Sequence, residues 1–225
     1  MPEHGLGLGL QLCAVGQMRL SERYPMPDYL AATMAMLGPP QNRYADPSAW
    51  DRLHEELGIQ LPSDYQALVD AYAPIHLNGH LYLSHPATER WNLRQWIRDT
   101  IRAWSEVPWD ELDLDADQDP RLLFGLKELS FGTIDGLWPI ASTDRGETIF
   151  LAAGSVTPRL LVEDGEIGWA EYHMSFAEWL YRYLIGEEMA GPNSSAFYPG
   201  PVQLRRLPMS ATERPEPWSG PDRGM

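Results

Sequence analysis

Residues 137–172 read LWPIASTDRGETIFLAAGSVTPRLLVEDGEIGWAEY, and this stretch decides the fold class. Its apolar residues recur with a period near two, and Asp144-Arg145-Gly146, Ala153-Gly154-Ser155 and Asp164-Gly165 interrupt them at short intervals. A period of two puts every second side chain on one face of an extended chain. Tight glycine-bearing turns then join successive runs as antiparallel neighbours. The pattern predicts strands over 138–142, 148–151, 159–162 and 168–172. Further strands are expected over 122–124 and 129–134, ahead of Asp135-Gly136, and over 80–83, after Asn78-Gly79.

Helices flank this block on both sides. Asp46 then Pro47 is an N-cap followed by proline at the first helical position, and Trp50, Leu53 and Leu57 share a face before Gly58. Pro62 opens the next helix, with Tyr65, Leu68, Val69 and Tyr72 at i, i+3, i+4 and i+7. A short helix is expected over 29–37, ended by Gly38-Pro39-Pro40, and another from Asn92 to Trp104 with an apolar stripe from Leu93 to Trp104. The closing helix carries a capping box, Ser175 with Glu178, and an apolar face of Phe176, Trp179, Leu180, Tyr183 and Leu184. Strands grouped between helices predict α+β: a curved antiparallel sheet of about five or six strands, packed with an N-terminal helix pair and a C-terminal helix. One sheet face is expected on the helices, the other in solvent or against a ligand.

Composition narrows the function. The chain has 225 residues, 17 Lys plus Arg against 32 Asp plus Glu, and a net charge of −15. Binding a phosphate backbone wants a cationic face, so direct nucleic-acid binding is not expected, and the same sign argues against anionic membranes. A basic protein partner suits it. The one cysteine, Cys13, permits no internal disulfide or zinc ribbon. The uncharged stretch Gly5 to Gly16 is too short to span a membrane and lacks a basic leader and a cleavage site, so the protein is read as cytoplasmic. No P-loop and no GxSxG elbow occurs, and the glycine alternation at Gly5, Gly7 and Gly9 has no strand before it. His76, His80 and His85 have near-metal spacing, but Pro74, Asn78-Gly79 and Pro86 forbid one helix, and surface or turn histidines are the simpler reading. No catalytic, cofactor-binding or metal-binding residue is assigned, and no enzyme activity is expected. No feature requires self-association, so a monomer or weak homodimer is expected.

The 106–119 segment holds seven acidic residues and no basic one. Such a run is most simply a solvated loop. Carboxylates spaced along a loop also steer a basic partner, and an aromatic among them makes an anchor. The candidate partner contacts are therefore Trp109, Asp110, Glu111, Asp113, Asp115 and Asp117. The division expected is a leader and short helix over 1–38, a main domain over 39–186 with an insertion over 90–120, and a proline-rich arm over 187–225, extended or disordered, in which Phe197, Tyr198, Leu204 and Leu207 are available for docking.

Three segments in order resemble the SMI1/KNR4 (SUKH) family. The first runs from Pro39-Pro40 through the Trp50 helix to EELGIQLPSDYQALVDAY at 55–72, where Gly58, Leu61, Pro62, Asp64 and Tyr65 fill the family's Gly and Leu-Pro-x-x-Tyr positions. The second is Trp138-Pro139-Ile140-Ala141 with Asp144, Gly146 and Phe150, and the third is Ser175-Phe176-x-x-Trp179-Leu180. Ala73-Pro74 departs from the small pair, often Asn-Gly, that closes the family's second helix. The resemblance implies an α+β sandwich and a non-catalytic role. Bacterial members of the immunity type neutralise a cognate polymorphic toxin, of the nuclease or deaminase class, by stoichiometric binding. Other members are regulatory or scaffold proteins, a reading under which the proline-rich arm is the docking element.

Overall fold

Five of the six described helices begin where a short polar side chain meets the first free amides. In the computed structural model, which describes residues 27–116, 118–126, 128–155, 157–166, 168–191, 194 and 199–224, Asp28 caps α1 (Tyr29–Leu37) and Asp46 caps α2 (Pro47–Leu57). Gly58 ends α2 with φ of 74°, a left-handed value that a side chain resists. Pro62 precedes α3 (Ser63–Tyr72), whose buried face includes Tyr65, Leu68 and Val69. A hairpin follows, β1 (Ile75–Leu77) and β2 (Leu81–Leu83). Next come α4 (Leu93–Ser105), capped by Asn92, and the single turn α5 (Pro120–Leu123), capped by Asp119. The meander is β3 (Leu137–Thr143), β4 (Thr148–Ala152), β5 (Leu160–Glu163) and β6 (Trp169–Tyr172). The chain closes with α6 (Phe176–Leu184), β7 (Gln203–Arg206) and β8 (Glu216–Ser219).

The fold is α+β, with an open antiparallel sheet in the order β6-β5-β4-β3-β2-β1-β7-β8. Five of the eight strands, β2 to β6, lie where expected, and of the other three β7 and β8 come from the tail. Leu204 of β7 lies opposite Leu77 of β1, and Val202, Leu204 and Leu207 are buried. The expected arm is thus partly sheet, because alternate apolar residues among its prolines find an open edge. Phe197 and Tyr198 lie outside the described residues. The strands expected over 122–124 and 129–134 do not form. Pro120 after the capping Asp119 starts a helical turn at the first, and only Phe131 makes an isolated bridge, to Leu137, at the second. β1 was not anticipated, since Ile75-His76-Leu77 is too short to declare a period.

The two sheet faces are both covered in part. Ile149, Leu151, Leu160 and Val162 belong to the main core, with Tyr65, Leu68, Phe176, Trp179 and Leu180. Phe150 and Leu161, register partners that alternate with these, join a second cluster with Phe131, Leu137 and Ala152. Trp104, Trp109 and Trp169 pack on it. The second face, expected to be open, is therefore buried at its β3–β6 end by the chain between α4 and β3. Ile101 of α4 packs against both clusters. No helix among the described residues is long and apolar enough to cross a membrane.

Candidate binding surface

The segment that covers the second cluster is built on one stacked pair. The Trp104 and Trp109 rings lie nearly parallel, 5.7 Å apart at 6°, and Trp109 Nε1 donates to the Trp104 carbonyl at 3.1 Å. Trp104 meets Phe150 edge-on at 5.4 Å. Burying large rings is what fixes a segment this rich in acid. Arg121 then ties it together. Its Nε and Nη2 donate to Asp119 Oδ1 and Oδ2 at 3.0 and 2.9 Å, and its Nη1 to Asp110 at 2.5 Å. The Arg121 hydrogen bonds hold the Asp119 carboxyl below its ordinary range. Arg159, just before β5, pairs with Glu171 and donates to the Phe124 carbonyl at 2.8 Å, joining the segment to the sheet.

The next loop leads into β3. Leu137 N donates to Ser130 O at 2.8 Å, Gly136 N to Thr133 O at 3.0 Å, and Trp138 Nε1 to Thr133 O at 2.8 Å. Gly136 is required here, because a Cβ would lie 2.4 Å from Thr133 Oγ1 and 2.6 Å from Ser130 O. The loop holds Ile134 outward at 84 % exposure.

Ile134 stands between two clefts. One, of about 610 Å³, runs past Glu128 and Asp135, and the other, of about 410 Å³, reaches Ile59 and Pro62 in the α2–α3 connection. A third cleft of about 380 Å³ shares Glu128 with the first and is lined by Trp109, Asp110, Glu111 and Arg121. The three form one trough. Its described cations, Arg121 and Arg159, are both occupied by the pairs above. Glu111, Glu128 and Asp135 have no cationic partner among the described residues.

Comparison of the chain with protein-family models, with curated proteins and with solved structures gives no match.

The candidate contacts named from sequence separate on this surface. Trp109 stacks on Trp104, packs on the second cluster and, half-buried, also lines the third cleft. Asp110 is exposed but tied to Arg121, and Glu111 lies on the trough rim. Asp113 and Asp115 are exposed and line none of the three clefts. Asp117 lies outside the described residues. Sequence reasoning missed Glu128, Ile134 and Asp135. The available signal was Asp135-Gly136, a turn that places its preceding apolar residue at a loop tip rather than at a strand end.

The histidines do not converge. His85 is fully buried, with Nε2 on Asp70 Oδ1 at 3.2 Å and Nδ1 accepting from Ala87 N at 3.0 Å. His76 stacks on Tyr82 at 4.1 Å and 4°, and His80 Nδ1 lies 2.7 Å from Asp144. No group of three or more His, Cys, Asp or Glu among the described residues is placed to hold a metal. Cys13 lies outside the described residues.

Proposed function

We propose that this protein is a non-catalytic binder that captures a basic protein stoichiometrically, in the manner of an immunity protein neutralising a toxin of the nuclease or deaminase class in the cytoplasm. The observation that carries this reading is the trough, in which an exposed Ile134 is flanked by carboxylates that have no cationic partner among the described residues. A net charge of −15 supports it, since it draws in a cationic surface and repels nucleic acid. The resemblance of the 55–72, 137–151 and 175–180 segments to the SMI1/KNR4 family supports it from the sequence side. The alternative is a regulatory or scaffold protein without a toxin partner, and part of the region assigned to its docking arm forms β7 and β8 at the sheet edge.

The test is rescue. The product of the adjacent gene is expressed inducibly in a naive bacterium with and without this protein. Relief of toxicity together with a one-to-one complex is expected. A harmless neighbour that forms no complex removes the immunity reading.

A further inference from the structure

We propose that the trough seats an extended basic segment of the partner protein, which straddles Ile134 with an apolar side chain and places a guanidinium or ammonium group beside Glu128. The inference rests on the binding reading above and specifies where and what is bound. Ile134 and Glu128 hold the positions that matter, because each is shared by two of the clefts. Both also line the first cleft, so an occupant that touches both lies along that cleft and reaches the margin of each of the other two.

The chemistry of the occupant follows from what is already neutralised. Arg121 is held by Asp110 and Asp119, and Arg159 by Glu171 and the Phe124 carbonyl. Neither is available to receive a phosphate or carboxylate. Among the described residues, the carboxylates left over are Glu111, Glu128 and Asp135, set along the same trough. A cation is therefore favoured, and a polyphosphate or acidic peptide meets unscreened like charge. A free polyamine satisfies the carboxylates but leaves Ile134 in water. A peptide segment carrying Arg or Lys beside an aliphatic residue satisfies both. The rigid loop around Ile134 lowers the ordering cost of such contact, since the aliphatic side is already presented.

The experiment uses the full chain labelled for amide resonance mapping and three probes: a short peptide alternating Arg and Leu, a peptide of equal charge alternating Arg and Ser, and spermine. The Arg–Leu peptide is expected to shift the amides of residues 125–136 and 152–155 and to bind about tenfold more tightly than the Arg–Ser peptide. Ile134→Ser should abolish that difference, and Glu128→Gln should weaken both peptides by about tenfold, whereas Asp113→Asn should weaken both by about twofold or less. All three positions are exposed, and thermal unfolding confirms that each variant keeps its fold. Equal binding of the two peptides, shifts confined to β1 and β2 around His76 and Tyr82, or no binding overturns the inference. The two proposals fail separately. A rescuing complex with its footprint elsewhere ends this one and leaves immunity standing. Peptide binding in the trough with no rescue does the reverse.

Discussion

Tyr65 shows how one hydroxyl settles a fault in the sheet. The register of β3 on β4 shifts between Pro139 and Ala141, so Ile140 has no partner across the ladder. An extra residue of this kind leaves backbone polar groups unpaired. The Tyr65 hydroxyl donates to the Ile140 carbonyl at 2.7 Å from a fully buried ring packed edge-on against Phe176 at 4.9 Å. Tyr65→Phe keeps the packing and strands the carbonyl. A loss of about 1–3 kcal/mol is expected by chemical denaturation, and a change within experimental error refutes the pairing. His85 is the second residue whose environment dictates behaviour. Its Nδ1 accepts from Ala87 N, so the neutral ring carries its proton on Nε2 towards Asp70. Burial lowers its pKa, against the opposing pull of Asp70 and of Asp46, while the Trp50 and Tyr44 rings complete the surroundings. The folded ring resists a proton that the unfolded ring takes near pH 6.5. Its contribution is thus complete above about pH 6.5 and is lost as pH falls from there towards the folded value. Urea denaturation between pH 8 and 5 should show stability falling with acidification, and His85→Gln should flatten part of that slope. His76, whose pKa burial also lowers, accounts for part of the remainder.

Elements announced by caps were readable, and elements made by tertiary accidents were not. Asp46 and Ser175 cap the helices that they announced in the sequence, and Asp28 and Asn92 cap two more that apolar spacing had placed. The Ser175 capping box is half made: Ser175 Oγ accepts from Glu178 N, while the Glu178 carboxylate pairs with Arg182, and Asp64 of α3 takes the Ala177 amide at 2.8 Å. Four strands of the meander fell within a residue or so of their expected bounds, because both faces of that region are apolar and Gly turns bracket each run. The failures share one cause. At 122–134 the apolar residues are spent on covering a sheet face, a task that imposes no period. In the tail, proline content masked the alternation of Val202, Leu204 and Arg206. The tail is nonetheless integral. Gly220 passes so close to α1 that a Cβ would lie 2.1 Å from Met36 O, and Arg223 donates to the Leu184 carbonyl at the end of α6 at 2.8 Å. Leu204→Ala should therefore cost about 2–5 kcal/mol, as for any buried leucine. A cost under about 0.5 kcal/mol, the range of surface changes, marks the strands as dispensable.

For the whole molecule, the question is whether charge acts as a field or as a contact, and two substitutions separate the cases. A net charge of −15 attracts a basic partner from beyond contact distance, and salt screens that attraction over about 8 Å at physiological strength. Glu128→Gln and Asp113→Asn each remove one negative charge from the side of the molecule bearing the 106–128 segment. Their effect on the long-range field is similar, so both should slow association with the adjacent-gene product by a similar factor, about twofold or less, with the difference vanishing at high salt. Dissociation responds only to groups that touch the partner. Glu128, common to two clefts, should raise the dissociation rate by about tenfold or more when neutralised, because it leaves the partner's cation buried without a counter-charge. Asp113 lines neither cleft and should leave dissociation unchanged. Stopped-flow association and dissociation at two salt concentrations measures both rates. If the two variants act alike on dissociation, Glu128 is part of the field and not of the contact, and the partner sits on another face.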